Sequence, residues 1–144
     1  MAFAVLVCRT MGVRRFEDLV AWQLAHQLSL EVFAATETGP VSRDFRFREQ
    51  VRDSAASAGR NIAEGFGRFS PGDFARFLRY ARASLMETRN SLIEGRDKGY
   101  LKDPLAARLL NLTSATDRVT KSLMLSKLRQ AASLPGRSGW REPT

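Results

Sequence analysis

Cysteine and histidine are almost absent from this 144-residue chain, with one of each, Cys8 and His26. A single cysteine excludes an internal disulfide framework and fits a reducing compartment. One cysteine and one histidine cannot build a zinc or haem site within a subunit. A di-metal carboxylate bundle needs paired Glu-x-x-His motifs, whereas His26 has Gln23 at that spacing. We therefore expect no metal and no cofactor. No run of about 20 apolar residues is present, which leaves nothing to span a membrane as a helix. Acidic residues are also in deficit, at 15 against 23 lysines and arginines, giving a formal charge of +8. The sequence pI is near 10.7.

Nineteen of the 23 basic residues are arginine, whose planar guanidinium matches phosphate. This balance invites a polyanionic partner, although a GC-rich genome produces the same excess without one. The apolar fraction of 44% is that of an ordinary globular chain. At this length it fits one domain with a real core.

Glycine and proline mark the ends of four stretches with helical periodicity. The first is expected from about Phe16 to Thr36, with Leu19, Leu24, Leu28 and Val32 on its apolar face. Val20, Ala25 and Phe33 widen that face, and Glu17 and Asp18 fall in the first turn, at the positive end of the dipole. Gly39-Pro40 ends it. The second runs from a capping Asp44 to about Gly65. Its stripe is Val51, Ala55, Ala58, Ile62 and Phe66, and a run of small residues extends from Ser54 to Gly59.

The third stretch has the clearest start, Ser70-Pro71-Gly72-Asp73, in which a cap precedes a proline at the first helical position. Phe74, Phe77, Leu78, Ala81, Leu85 and Leu92 form its core face, and Gly99 closes it. Tyr100 and Leu101 are expected to fold back onto the bundle. Asp103-Pro104 opens the fourth, which carries Leu105, Leu109, Leu112, Val119, Leu123 and Leu128 to about Ala132. With short connections and no strand signal, the prediction is all-α: an antiparallel up-down-up-down four-helix bundle over residues 14–132. Residues 1–13 are expected to be an extension outside the core. The apolar run Phe3 to Cys8 lacks the basic start of a signal peptide, and Met11 is a candidate start beside Met1. Residues 133–144, with Arg137, Trp140 and Arg141, are expected to form a disordered tail.

Two sets of side chains carry functional weight. Ser57, Asn61 and Glu64 share a polar stripe of the second helix, and Ser84 and Glu87 lie on one of the third. Two carboxylates and an amide can perform acid–base chemistry in a water-poor pocket that raises one pKa. The competing reading is a hydrogen-bonded polar layer, or a subunit interface, that fixes helix register. No nucleophile with its base, phosphate-cradling glycine loop or metal cluster accompanies them, so no catalytic residue is assigned and the structural role is expected. The second set is basic: Arg46, Arg48, Arg52, Arg68, Arg76, Arg79, Arg82, Lys121, Lys127 and Arg129. These are candidates for binding nucleic-acid phosphate by shape and charge. Phe69 and Tyr80 lie near the same arginines, although aromatics at helix edges usually pack.

With Phe16-Glu17-Asp18-Leu19, Trp22-Gln23 and Asn61-Ile62-Ala63-Glu64-Gly65, the chain from Phe16 to about Arg129 resembles a family of small bacterial four-helix-bundle proteins. Its founding members are encoded in intervening sequences of the large-subunit ribosomal RNA gene. The resemblance continues through Phe77-Leu78, Ala81, Ser84-Leu85, Glu87 and Gly99-Tyr100-Leu101. Where the family usually has Ser-Ile-Pro before the asparagine, this chain has Ser57-Ala58-Gly59. The resemblance implies a cytoplasmic bundle assembled as a ring, typically a homopentamer. It also implies a fold related to the accessory variability proteins of diversity-generating retroelements, basic pentamers that bind nucleic acid and a reverse transcriptase. A non-enzymatic accessory factor for nucleic acid is thus one expectation. A protein–protein interaction scaffold, whose charge serves solubility, is the other.

Overall fold

The four periodic stretches become four α-helices in the computed structural model, which describes residues 12–135. They are α1 (Val20–Ala35), α2 (Phe45–Phe66), α3 (Pro71–Asp97) and α4 (Leu105–Ser133). Short 3-10 turns, Phe16–Asp18 and Pro40–Arg43, precede α1 and α2, and no strand occurs among the described residues. The expected extension up to Met11 and the tail beyond Pro135 lie outside the described residues.

Three of the helix starts follow directly from local chemistry. The Asp44 carboxylate accepts from the Phe47 amide at 3.2 Å, and Ser70 Oγ accepts from the Asp73 amide at 3.0 Å. The Asp103 carboxylate does the same for Ala107 at 3.1 Å. Each satisfies an amide that the first helical turn leaves unpaired. The start of α1 differs from expectation. Leu19 is extended and buried, so the helix begins at Val20 and Glu17 and Asp18 belong to a separate turn. A core position for the Leu19 side chain outweighs continuation of the helix through it.

Gly99 ends α3 with φ +75°, and the Tyr100 amide donates back to the Gly95 carbonyl at 2.8 Å. The chain then folds onto the bundle. Leu101 is buried, and the Tyr100 hydroxyl donates to Asp44 at 2.8 Å, tying the end of α3 to the start of α2.

Helix α1 packs on α2 and α4, and α3 packs on the same two. The core between them holds Leu28, Val51, Ile62, Leu78, Leu85, Leu92 and Leu109, all essentially inaccessible. Phe33, Leu105 and Leu128, placed on apolar stripes by periodicity, are instead exposed. On α4, Leu109, Val119 and Leu123 are buried as expected, and Thr113, Thr116 and Thr120 share the interior with them. Each threonine donates its hydroxyl to the carbonyl four residues back at 2.7 Å, which conceals the polar group. No buried side-chain nitrogen or oxygen lacks a partner among the described residues.

The small residues of α2 serve close packing against α3. A β-carbon at Gly65 would stand 2.8 Å from Phe74 Cδ2 and from Phe77 Cβ. At Gly59, in the small-residue run, the nearest atom would be Trp22 Nε1 at an ordinary 3.8 Å. Gly65→Ala should therefore cost about 1–3 kcal/mol through overpacking. Gly59→Ala should be stabilising by about 0.5–1 kcal/mol, because helix formation no longer orders a glycine. Urea unfolding of the two variants gives the comparison. Equal effects would show that the approach at Gly65 does not limit packing.

Stability should also fall in acid. The hydrogen bond from Tyr100 and the Phe47 amide hold the Asp44 carboxyl below its usual 3.8. Arg108 holds Glu31 below its usual 4.5. A lowered folded pKa contributes stability that is complete above the ordinary value and lost as pH falls through the folded one. Stability should be level from pH 7 to about 5 and decline below about 4. Asp44→Asn should flatten that decline in pH-dependent thermal melts.

Candidate nucleic-acid interface

The ten basic residues singled out by sequence separate into three groups once the helices are packed. Arg48, Arg52 and Arg82 are engaged within the fold. Arg52 spans from α2 to the end of α1, donating to Thr36 Oγ1 at 2.7 Å and to the Phe33 carbonyl at 3.3 Å. Its guanidinium lies 4.0 Å from the Phe33 ring centroid, which explains why that phenylalanine stays outside the core. It thus closes the negative end of α1 with a cation. Arg48 donates to the Ser42 carbonyl at 3.0 Å and lies over Phe45 at 4.7 Å. Arg82 forks onto Asp117 of α4 through two bonds, at 2.8 and 3.2 Å.

Arg68 and Arg76 are exposed but paired, with Glu64 at 2.9 Å and Asp73 at 3.3 Å. Such surface pairs contribute about 0–1 kcal/mol and are screened by salt. Lys127 is half-buried, 5.3 Å from the Phe74 ring, and burial lowers its pKa from the usual value.

Arg46, Arg79, Lys121 and Arg129 are exposed, and no carboxylate lies within ion-pair distance of them among the described residues. Arg46 stands apart, beside Asp44, Phe47, Gln50, Glu94 and Lys98 in a polar cleft of about 400 Å³ at the start of α2. The other three lie on α3 and α4. Arg82–Asp117 and Arg89–Ser114 set the register of α3 on α4, and it places Arg79 beside the turn carrying Lys121. Lys121, Leu125 and Arg129 follow at four-residue spacing on the outer side of α4, with Leu125 exposed. Arg118, three residues before Lys121, is exposed on the same side and has no carboxylate within ion-pair distance among the described residues. It was not among the sequence candidates, although its spacing to Lys121 carried the signal. Asp117 is the only carboxylate of α4, and Arg82 occupies it. The outer side of α4 is accordingly basic, with no free carboxylate on its own helix.

The polar stripe is only partly assembled within the subunit. Ser84 and Ser57 hydroxyls are 2.9 Å apart, and Asn61 Nδ2 donates to Ser57 Oγ at 3.1 Å and to its carbonyl at 2.9 Å. Ser54 and Thr88 pair one turn away at 3.0 Å. The two hydroxyl pairs cross-link α2 to α3, whereas the Asn61 bonds stay within α2. Glu64 turns outward to Arg68, and Glu87 is exposed with no hydrogen-bond partner among the described residues. The two carboxylates are not gathered around Asn61.

Elsewhere, Trp22 stacks on His26 at 4.6 Å and meets Phe16 edge-on at 5.2 Å. With Ala25, Ala56 and Gly59 they line a groove of about 270 Å³ between α1 and α2. Among the described residues no group of three or more His, Cys, Asp and Glu side chains could hold a metal ion. No described helix is long and apolar enough to cross a membrane.

Comparison with known proteins agrees with this architecture. No curated protein matches the chain. Among solved structures, a protein with unknown function from the S23 ribosomal protein family of Bacteroides thetaiotaomicron superposes with a TM-score of 0.67 at 18% identity. The match covers 73% of this chain and 98% of that one, and at this identity it supports the fold alone. Residues 17–123 match the model of a family described as 23S rRNA-intervening sequence protein. That span is well over half of the chain, and it includes the Asn61–Gly65 run and the hydroxyl seam between α2 and α3. The chain therefore belongs to the 23S rRNA-intervening sequence protein family.

Proposed function

We propose that this protein is a non-enzymatic accessory factor that binds structured nucleic acid, RNA or DNA, through the outer side of α3 and α4. One observation carries the reading: Arg79 on α3 and Arg118, Lys121 and Arg129 on α4 are exposed, and no carboxylate lies within ion-pair distance of them among the described residues. Such a surface attracts phosphate through counterion release, with little sequence preference. In this reading the up-down-up-down bundle assembles as a ring-like homo-oligomer, a pentamer, in the cytoplasm. Each subunit then repeats the basic face, and weak phosphate contacts combine through multivalency. A reverse transcriptase is the protein partner that the related accessory folds suggest. The family description, which refers to 23S rRNA, supports a nucleic-acid setting. The aromatic groove at Trp22 and His26 favours the second reading, a protein-interaction scaffold.

The test is titration of labelled structured RNA and duplex DNA at several salt concentrations, with light scattering to count subunits. The paired variant Lys121→Glu with Arg129→Glu should weaken binding. It should also reduce the slope of log affinity against log salt by about 0.7–0.9 for each phosphate that the protein no longer neutralises. Arg60→Glu is the control, since Arg60 already pairs with Asp53 on α2, away from this surface. An unchanged slope in the paired variant would remove α4 from the interface. Binding by the unaltered protein that vanishes at physiological salt would favour the scaffold.

A further inference from the structure

Phe69 is the most exposed large apolar side chain among the described residues, at 108% of its reference accessibility. A lone exposed leucine needs no explanation, but the setting of this phenyl ring is unusual. It lies in the connection between α2 and α3, which has hydrogen bonds at both ends. The Gly67 amide donates to the Ala63 and Glu64 carbonyls at 3.2 and 3.1 Å, and the Arg68 amide donates to Gly65 at 3.1 Å. Ser70 then caps α3. The ring is presented by a short, fixed connection.

Two guanidinium groups cover a different ring, that of Phe77, at the same end of the bundle. Arg68 lies 4.6 Å and Arg76 5.4 Å from the centroid of Phe77, whose ring is buried beneath them. Glu64 and Asp73 each pair with one Nη of these arginines, at 2.9 and 3.3 Å, and both guanidinium side chains remain exposed. The same end of the bundle receives the last turns of α4. Lys127 sits 5.3 Å from the Phe74 ring, and Ala131 faces Gly72. Residues 64–79 and 121–135 together carry six basic side chains (Arg68, Arg76, Arg79, Lys121, Lys127, Arg129) against two acidic ones (Glu64, Asp73).

We propose that Phe69 is a stacking residue for an unpaired nucleobase, with Arg68 and Arg76 contacting the phosphates on either side of it. The inference rests on the nucleic-acid reading above and adds its mode. A phenyl face accepts any base that is free to leave its stack, and the nearby cations follow the backbone. A continuous duplex offers such a ring nothing except its ends. The protein therefore prefers single strands, loops and bulges to blunt duplex, and the free cations of α4 supply the affinity common to both.

The experiment compares a labelled mixed-sequence single-stranded RNA with a blunt duplex of the same sequence, using the full chain. Phe69→Ala should lower affinity for the single strand about 10- to 100-fold and leave duplex affinity unchanged. Phe69→Leu keeps an apolar side chain without the aromatic face and should behave like the alanine variant, whereas Phe69→Tyr should retain binding. Thermal melting should be unmoved in all three, because the fold does not bury the ring. Equal loss on both ligands, no loss on either, or full retention by Phe69→Leu overturns the stacking role. Loss of the oligomer in light scattering of Phe69→Ala also overturns it, by assigning the ring to a contact between copies. If the unaltered protein binds neither RNA, the nucleic-acid reading itself fails, and the stacking role goes with it.

Discussion

Helices α2 and α3 can approach closely only where the residues between them are small, and much of the molecule follows from that contact. A β-carbon at Gly65 would overlap Phe74 and Phe77, and one at Gly95 would stand 2.8 Å from Phe47. These contacts lie near opposite ends of α3, so they fix both its height and its rotation on α2. Between them the Ser54–Thr88 and Ser57–Ser84 pairs fill the seam with hydrogen bonds. Hydroxyls paired in this way specify one register, because a slip of one turn would strand buried donors and acceptors. The interior positions around Gly65 are taken by Phe66, Phe74 and Phe77, with Phe66 edge-on to Phe74. No such position remains for Phe69, and it faces solvent.

The same packing sorts the arginines. A guanidinium drawn into a groove loses water and must recover its hydrogen bonds from the protein. Arg52 recovers them from the end of α1, and Arg82 from Asp117. Engaging Asp117 removes the only negative charge on α4, which leaves Arg118, Lys121 and Arg129 without a partner on their own helix. Repulsion among exposed cations is weak in water and falls further with salt. The core tolerates it, and a strongly basic face can coexist with a fully satisfied interior.

Much of this was legible from local pattern. Asp44, Ser70 and Asp103 announce helix starts because a cap acts within four residues of itself. The apolar stripes of α2 and α3 named core residues except at Phe66, which is only partly buried, since each follows a helical face. The failures are of a different kind. Leu19 breaks the first helix because its core position lies off the helical path, and no local signal records that. The threonines of α4 look polar in sequence but disappear into the helix by donating to their own backbone. Among the basic residues, local spacing shows the Arg68 and Arg76 pairs but not those of Arg52 and Arg82. Arg82 finds Asp117 35 residues away, a pairing that only the register of α3 on α4 creates.

Magnitudes then decide which arginines can change partner. Arg82 gives up two charge-assisted bonds in a partly buried fork if it leaves Asp117, a loss that also uncovers the carboxylate. Arg68 and Arg76 give up exposed pairs worth about 0–1 kcal/mol. A charge-assisted hydrogen bond is worth about 1.5–3 kcal/mol, which is enough to draw either of them from Glu64 or Asp73. Arg79, Arg118, Lys121 and Arg129 have no ion pair to give up among the described residues. The cations that hold the fold and the cations that can meet a polyanion are therefore different residues. The three engaged arginines lie in grooves between elements, and the recruitable ones lie on the outer side of α3 and α4 and at the Phe69 end of the bundle.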